Sequence, residues 1–493
     1  YEKLVKELDD KATSRTDDPL PMPSSEAINL AIKEINQSLL IEPEEIIRVI
    51  AALYSGKSVL LTGPIGCGKT ELALTIPNKA WAKQNGYHAE VVTATADWTT
   101  QDVIGGIVPK LYKNQDGKKE VSFVMQRGAA SRTVGDNWKD GFGTKKERVS
   151  PVVDGKKYRG KWLVIDEFNR ADIDKAFGSL FTALEYRDVG IKIPSDEKDE
   201  PDTIRVPKDY RIIGTLNTRD KNYLYKMSDA LSRRFEVIEL SPPSFDKSQE
   251  EMEIVAKKIF NDLSKDIKES LEINSDDDLL EKNSDFWRYL VYAYEILSFV
   301  RFSNNLGTAI LLAIYKFMLV FNSMEDPDTG EQFDLDKSLD FALCNSLLPQ
   351  IEKLTPIKLK SITGFIGGRI SGNIYGADYT DDYESQQMLN EVKELVQFIN
   401  LHKKDKKEKL AWQTWNNFLN GTTKLERDAE IQKMGDNAKE KYLVENLDPW
   451  ISILKFRDFD QVDRPKLKEF SVRLQNIIKQ RTFEDFEDEF DSE

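Results

Sequence analysis

A short apolar run, Ser58-Val-Leu-Leu-Thr62, passes straight into Gly63-Pro-Ile-Gly-Cys-Gly-Lys-Thr70, and no other feature of the 493-residue chain narrows its fold as much. The spacing G-x-x-x-x-G-K-[ST] lets successive backbone N–H groups turn inward around phosphate oxygens, because glycine accepts the conformations such a loop needs. A helix starting at Lys69 adds the positive end of its dipole to the same cradle. Lys69 is placed to reach β- and γ-phosphates, and the Thr70 hydroxyl to meet Mg²⁺. The candidate nucleotide contacts are Gly63, Pro64, Ile65, Gly66, Cys67, Gly68, Lys69, Thr70 and Glu71. Cys67 reads as a small filler of the loop rather than a reactive thiol.

The flanking pattern extends this unit. Short strands are expected at Ala89–Ala94, Trp162–Ile165 and Arg211–Thr215, separated by helical spacing. That alternation predicts an α/β fold, a parallel sheet with helices on both faces. Upstream, the spacing of Ile28, Leu30, Ile32 and Ile35 predicts a helix over 26–40, and a second runs from Glu44 to Tyr54 and stops at Ser55-Gly56. The segment up to about Ser25, broken by Pro19, Pro21 and Pro23, reads as a leader or linker. Two hairpins are expected as inserts, a long one over 110–158 and one pairing Val189–Pro194 with Thr203–Val206. Beyond Pro242-Pro243 the strand signals fade. The expected divisions are a leader and helix (1–40), an α/β core (41–240), a helical domain (241–370), a helical extension (371–482) and an acidic tail with interleaved Phe (483–493).

Three further positions complete a chemistry around the loop. Lys161-Trp-Leu-Val-Ile-Asp166-Glu167 is an apolar strand ending in two carboxylates: Asp166 suits the Mg²⁺ shell, and Glu167 is left to polarise an attacking water. Arg211-Ile-Ile-Gly-Thr-Leu-Asn217 ends another strand, so Asn217 is expected beside the Asp166 strand end, orienting that water or touching the γ-phosphate. Asp229-Ala-Leu-Ser-Arg233-Arg234-Phe235 ends a helix in two arginines, either of which would serve as a finger onto a neighbouring subunit's γ-phosphate; pattern position favours Arg234. The expected catalytic set is Lys69, Glu167, Asn217 and Arg234, and the expected metal ligands are Thr70 and Asp166.

Composition excludes several classes. With 70 Lys and Arg against 85 Asp and Glu, a net charge of −15, the chain does not coat a polyanion wholesale, so contact with DNA requires a local patch. Residues 139–161 offer one, with eight basic residues against three acidic, and are expected to form a basic hairpin. Two cysteines rule out a disulfide framework, and together with two histidines they cannot build a dedicated zinc site. No apolar run approaches the roughly 18 residues that cross a bilayer, and a cytoplasmic protein without membrane contact is expected.

The quoted motifs together resemble AAA+ ATPases of the branch that holds MoxR chaperones and McrB-type restriction motor subunits, over about residues 40–240. Trp162-Leu-Val-Ile-Asp-Glu-Phe-Asn-Arg-Ala-Asp172 and Phe177-Gly-Ser-Leu-Phe-Thr-Ala-Leu184 are similar to that branch's conserved stretch. Gly214-Thr-Leu-Asn-Thr-Arg-Asp220, Asp229–Phe235 and, more loosely, Leu347-Leu-Pro-Gln-Ile351 resemble the McrB side. The resemblance implies a P-loop NTPase core followed by an α-helical lid, and a hexameric ring hydrolysing ATP or GTP with Mg²⁺. It further implies a nuclease or DNA-processing partner, the alternative being a chaperone that remodels a protein client, and it places the hairpins near a central pore. An assembly scaffold using nucleotide only structurally would need neither Glu167 nor Arg234. Where relatives carry a lid arginine, this chain reads Ser303-Asn304-Asn305-Leu306, with Arg301 nearby.

Overall fold

The structure, a computed structural model, describes residues 16–113, 119–195, 200–217, 233–244, 247–301, 304–354, 359, 362–363 and 465–490. It divides into two compact units, Tyr1–Ser241 and Pro242–Glu493.

In the first unit the described strands are β1 (Ser58–Gly63), β2 (Tyr87–Thr93), β3 (Gly105–Lys113), β4 (Lys119–Arg127), β5 (Val152–Val153), β6 (Lys156–Lys157), β7 (Gly160–Asp166), β8 (Ile191–Ile193), β9 (Asp202–Ile204), β10 (Ile212–Asn217) and β11 (Phe235–Glu239). Five of them form one parallel sheet in the order β11-β1-β10-β7-β2. Every residue of β1 is buried, as expected for a parallel strand covered on both faces. Around the sheet lie α1 (Ser25–Ile35), α2 (Pro43–Tyr54), α3 (Lys69–Lys79), α4 (Thr100–Val103), α5 (Ala129–Gly135) and α6 (Ile173–Glu185). Their starts carry ordinary signals: Ser24 accepts from the Ala27 N–H, Pro43 opens α2, and Asp172 accepts from the Lys175 N–H.

One side of the core is aromatic. Tyr87 stacks on Trp162 with centroids 4.4 Å apart, and Trp81 meets the Trp162 edge at 5.3 Å. Elsewhere Phe168 touches Phe177 and Phe235, both at 5.6 Å.

Several expectations are corrected. The leader is no linker over residues 16–24. Leu20 is buried in the main core, the Pro21 carbonyl accepts from Trp81 Nε1 at 2.8 Å, and Asp17 pairs with buried Arg148 at 3.2 Å. Prolines keep this segment extended, and an extended strap can lie flat on a surface with one leucine as its anchor. Helix α1 stops at Ile35 rather than continuing to 40, because the Asn36 side chain bonds both the N–H and the carbonyl of Ile41 and closes a turn.

The long hairpin expected over 110–158 is two separate devices. β3 and β4 pair antiparallel from Gly105–Arg127 to Lys113–Lys119, and β5–β6 is a two-residue ladder further on. Between them the chain dives back into the core at Ala129 and Ala130. Gly128 permits that entry, since a Cβ there would lie 2.4 Å from the Val103 carbonyl carbon. The second hairpin forms but is shorter than expected and shifted on its second strand, pairing Ile191–Ile193 with Asp202–Ile204, Ile191 opposite Ile204.

The second unit is helical over its described residues. It includes α7 (Ser248–Asp262), α8 (Asp285–Arg301), α9 (Thr308–Asn322), α10 (Leu335–Ala342), a π turn over Leu343–Leu347 that enters a short helix at Leu348–Ile351, and α11 (Lys468–Phe490). The Asp340 carboxylate accepts from the backbone N–H groups of Glu469 (2.8 Å) and Phe470 (2.9 Å), so a residue of α10 caps the start of α11. Leu467, Phe470 and Leu474 are buried alongside. Most of the expected extension, residues 371–464, and the last three residues of the acidic tail lie outside the described residues.

Candidate functional site

The sheet brings three strand ends together. β1 delivers the loop Gly63–Thr70, β7 delivers Asp166 and Glu167, and β10, lying between β1 and β7, delivers Asn217. Gly63 is opposite Asn217 in the register, and Gly214 is opposite Ile165, so the polar residues meet at the carboxyl edge.

Within the loop, glycines are required where neighbours crowd. A Cβ on Gly63 would sit 2.6 Å from the Leu240 carbonyl oxygen and 2.9 Å from Cys67 Sγ. Gly68 is left-handed (φ +85°), and a Cβ there would lie 2.7 Å from Leu39 Cδ2. From Gly68 the chain turns into α3, whose first residue is Lys69. The Lys69 ammonium folds back over the loop, donating to the carbonyls of Gly63 (3.0 Å) and Pro64 (2.7 Å), with Cys67 Sγ at 3.8 Å. Burial pulls its pKa below the ordinary lysine value, and burial pushes the Cys67 thiol up. Cys67 is buried, in line with a filler role.

The Thr70 hydroxyl donates to Asp166 Oδ1 at 2.7 Å. A hydroxyl and a carboxylate held together at the loop are hard oxygen donors suited to Mg²⁺. Glu167, the next residue, adopts a left-handed backbone (φ 55°). Its Oε1 accepts from Asn217 Nδ2 at 3.3 Å and its Oε2 from Arg170 Nε at 3.2 Å. So the structure brings Lys69, Thr70, Asp166, Glu167 and Asn217 into one place.

Arg234 lies elsewhere. It immediately precedes Phe235, which pairs with Ser58 at the start of β1, the end of the sheet opposite the loop. There its Nε donates to the Phe181 carbonyl at 2.6 Å and its guanidinium pairs with Glu185. Arg233 is exposed. The helix expected before them, residues 229–232, and the stretch 218–220 lie outside the described residues, as does Ser303.

Two positions escaped the sequence reading. Thr215, buried, stands next to the carboxylates: its hydroxyl donates to Asp166 Oδ1 at 2.5 Å and accepts from the Glu167 N–H at 3.2 Å. The signal was a hydroxyl in an otherwise apolar strand, two residues before Asn217 and therefore on the same face. Arg170, inside the quoted stretch, was not singled out.

The lid arginine question is answered for Arg301. It is buried in the second unit, bound bidentately to Glu251 (2.9 and 2.6 Å) and donating to the Leu306 carbonyl at 2.8 Å. That guanidinium is bound within the unit's core.

The basic segment 139–161 is less basic than its count and is not one hairpin. Arg148 is buried against Asp209 at 2.7 Å, Arg159 lies 3.6 Å from the same carboxylate, and Lys161 pairs with Asp136 at 2.7 Å and Glu90 at 3.4 Å. Lys145, Lys146, Lys156 and Lys157 are exposed. Among the described residues no helix is long and apolar enough to cross a membrane.

Comparison with known proteins agrees with this geometry. The AAA domain (dynein-related subfamily) matches residues 58–235. The EcoKMcrB subunit of the type IV methyl-directed restriction enzyme of Escherichia coli (strain K12) is 26% identical over 231 residues, 46% of this chain and 44% of that protein. The chain thus matches less than half the length of that relative. Two crystal structures of NtrX from Brucella abortus, one of them with ADP, align at 14% identity over 90% and 88% of this chain and 71% and 72% of theirs. Their TM-scores, 0.37 and 0.36, are too low to carry a structural argument. The loop, the parallel strands and the strand-end carboxylates agree with the family match: residues 58–235 resemble an AAA domain of the dynein-related subfamily, and the chain is similar to the McrB subunit.

Proposed function

We propose that this chain hydrolyses the phosphoanhydride bond of ATP or GTP with Mg²⁺, as one subunit of a hexameric ring. The observation that carries the reading is the meeting of Lys69, Thr70, Asp166, Glu167 and Asn217 at one sheet edge. Residues 63–71 cradle the phosphates, with Lys69 exchanging loop carbonyls for phosphate oxygens. Thr70 and Asp166 would hold Mg²⁺, whose bound charge offsets the negative charge of the phosphates. Glu167 accepts a proton from the attacking water, and Asn217 orients its carboxylate.

Arg234 supports the ring. β1 spans five residue steps from Ser58 to Gly63, about 16 Å, so the guanidinium is remote from its own loop and suited to a neighbour's. The McrB relative is a subunit of a restriction enzyme, which supports a nuclease or DNA-processing partner here and favours that role over the chaperone alternative. Direct contact with DNA by segment 139–161 would fall to Lys145, Lys146, Lys156 and Lys157. A cytoplasmic setting follows from the same role.

Phosphate release with ATP and with GTP, with light scattering in nucleotide and Mg²⁺, tests the reading. Hydrolysis of one or both nucleotides by an oligomer is expected. A chain that stays monomeric and releases no phosphate refutes it.

A further inference from the structure

We propose that Thr215 is a positioning residue that couples the two carboxylates of the site, an inference that rests on the NTPase reading above. Its hydroxyl touches both acidic positions at once. The proton goes to Asp166 Oδ1 at 2.5 Å, and a lone pair takes the N–H of Glu167 at 3.2 Å. Both bonds are made inside the protein, since Thr215 is 2% exposed.

Each bond constrains a different coordinate. Asp166 Oδ1 receives two hydroxyl protons, from Thr215 and from Thr70 at 2.7 Å. Two donors on one oxygen fix the carboxylate's rotation, and the Thr70 hydroxyl, having spent its proton on Asp166, keeps its lone pairs for a cation. Thr215 is thus an outer partner of the candidate metal ligands, a kind of residue whose loss typically costs 10- to 100-fold in metal affinity or activity.

The second bond secures the backbone of Glu167, which stands at φ 55° and ψ 41°, where a residue bearing a Cβ is disfavoured and must be held by its surroundings. Asn217, two residues on and on the same face of β10, reaches the side chain of the same glutamate at 3.3 Å. One strand end therefore fixes Glu167 twice, its main chain through Thr215 and its carboxylate through Asn217. Valine has nearly the shape of threonine and suits a strand, but it would leave Asp166 one donor short and the Glu167 N–H without this acceptor.

The test uses the full chain as wild type, Thr215→Val, Thr215→Ala and Thr215→Ser, with Lys69→Ala as the binding-negative control. Thermal melts select which hydroxyl-less variant is folded for assay. Binding of a fluorescent nucleotide is titrated with and without Mg²⁺, and kcat and KM are measured by phosphate release. The hydroxyl-less variant should bind nucleotide like wild type without Mg²⁺, need about tenfold or more Mg²⁺ for half-maximal tightening, and lose about 10- to 100-fold in kcat with little change in KM. Thr215→Ser, which keeps the hydroxyl, should restore both. A hydroxyl-less variant with wild-type kcat and Mg²⁺ dependence overturns the proposal, and so does a defect that serine fails to rescue. If instead the wild type binds no more nucleotide than Lys69→Ala, the NTPase reading itself falls.

Discussion

Replacing Arg234 with alanine removes a guanidinium that cannot serve its own phosphate loop, because Phe235 pairs with Ser58 at the far end of β1. Its local contacts are modest. It pairs with the half-exposed carboxylate of Glu185, donates to the Phe181 carbonyl at 2.6 Å and lies 5.8 Å over the Phe181 ring. A partly exposed ion pair contributes up to about 1 kcal/mol and a charged hydrogen bond about 1.5–3 kcal/mol. Folding stability should therefore fall by about 1.5–4 kcal/mol, and nucleotide binding should persist. Loss of a finger acting across a subunit boundary costs far more, about 10³–10⁵ in rate or 4–7 kcal/mol of barrier.

Mixing separates the two effects. Arg234→Ala keeps an intact loop and Lys69→Ala keeps an intact arginine, so combined subunits should regain phosphate release that neither variant shows alone. Because Glu185 competes for the same guanidinium, Glu185→Gln should leave that rescue intact or raise it. Subunits that exchange freely yet show no activity at any mixing ratio would refute a finger at Arg234. Arg233, exposed beside it, would then be the position to replace.

Two predictions concern stability. Arg148→Met leaves Asp209 buried without its 2.7 Å partner and should cost about 3–5 kcal/mol, read as a lowered denaturant midpoint; a midpoint at the wild-type value would contradict the pairing. Asp340→Ala removes two backbone caps from the start of α11 and should cost about 1–3 kcal/mol locally, read as faster amide exchange over residues 468–478; unchanged exchange there would show that the cap contributes nothing.

The parts of the fold that were legible are those where burial writes directly into composition. β1, β7 and β10 sit inside the sheet, so their residues are mostly apolar and mark them plainly. β11 is an edge strand, with Glu236, Val237 and Glu239 exposed to some degree between buried Phe235 and Ile238, and it went unread for that reason. The glycine loop was legible because backbone geometry demands its spacing. Thr215 was not, because a threonine in a strand looks like any β-former until its neighbours are known. Charge counts misled over 139–161, since a sequence does not show that Asp209, Asp136 and Glu90 approach Arg148, Arg159 and Lys161 from distant strands and loops. The leader's prolines marked an extended chain correctly, but only packing shows that Leu20 anchors it.

The central claim is that this site binds a nucleoside triphosphate and uses Glu167 to activate water, and Glu167→Gln tests it most directly. Glutamine preserves the shape and leaves Lys69, Thr70 and Asp166 in place, so calorimetry with Mg²⁺ and the preferred nucleotide should show binding like wild type. Phosphate release should fall by about 10² or more, the scale of losing a general base. A Glu167→Gln chain that binds and hydrolyses at the wild-type rate would contradict the account.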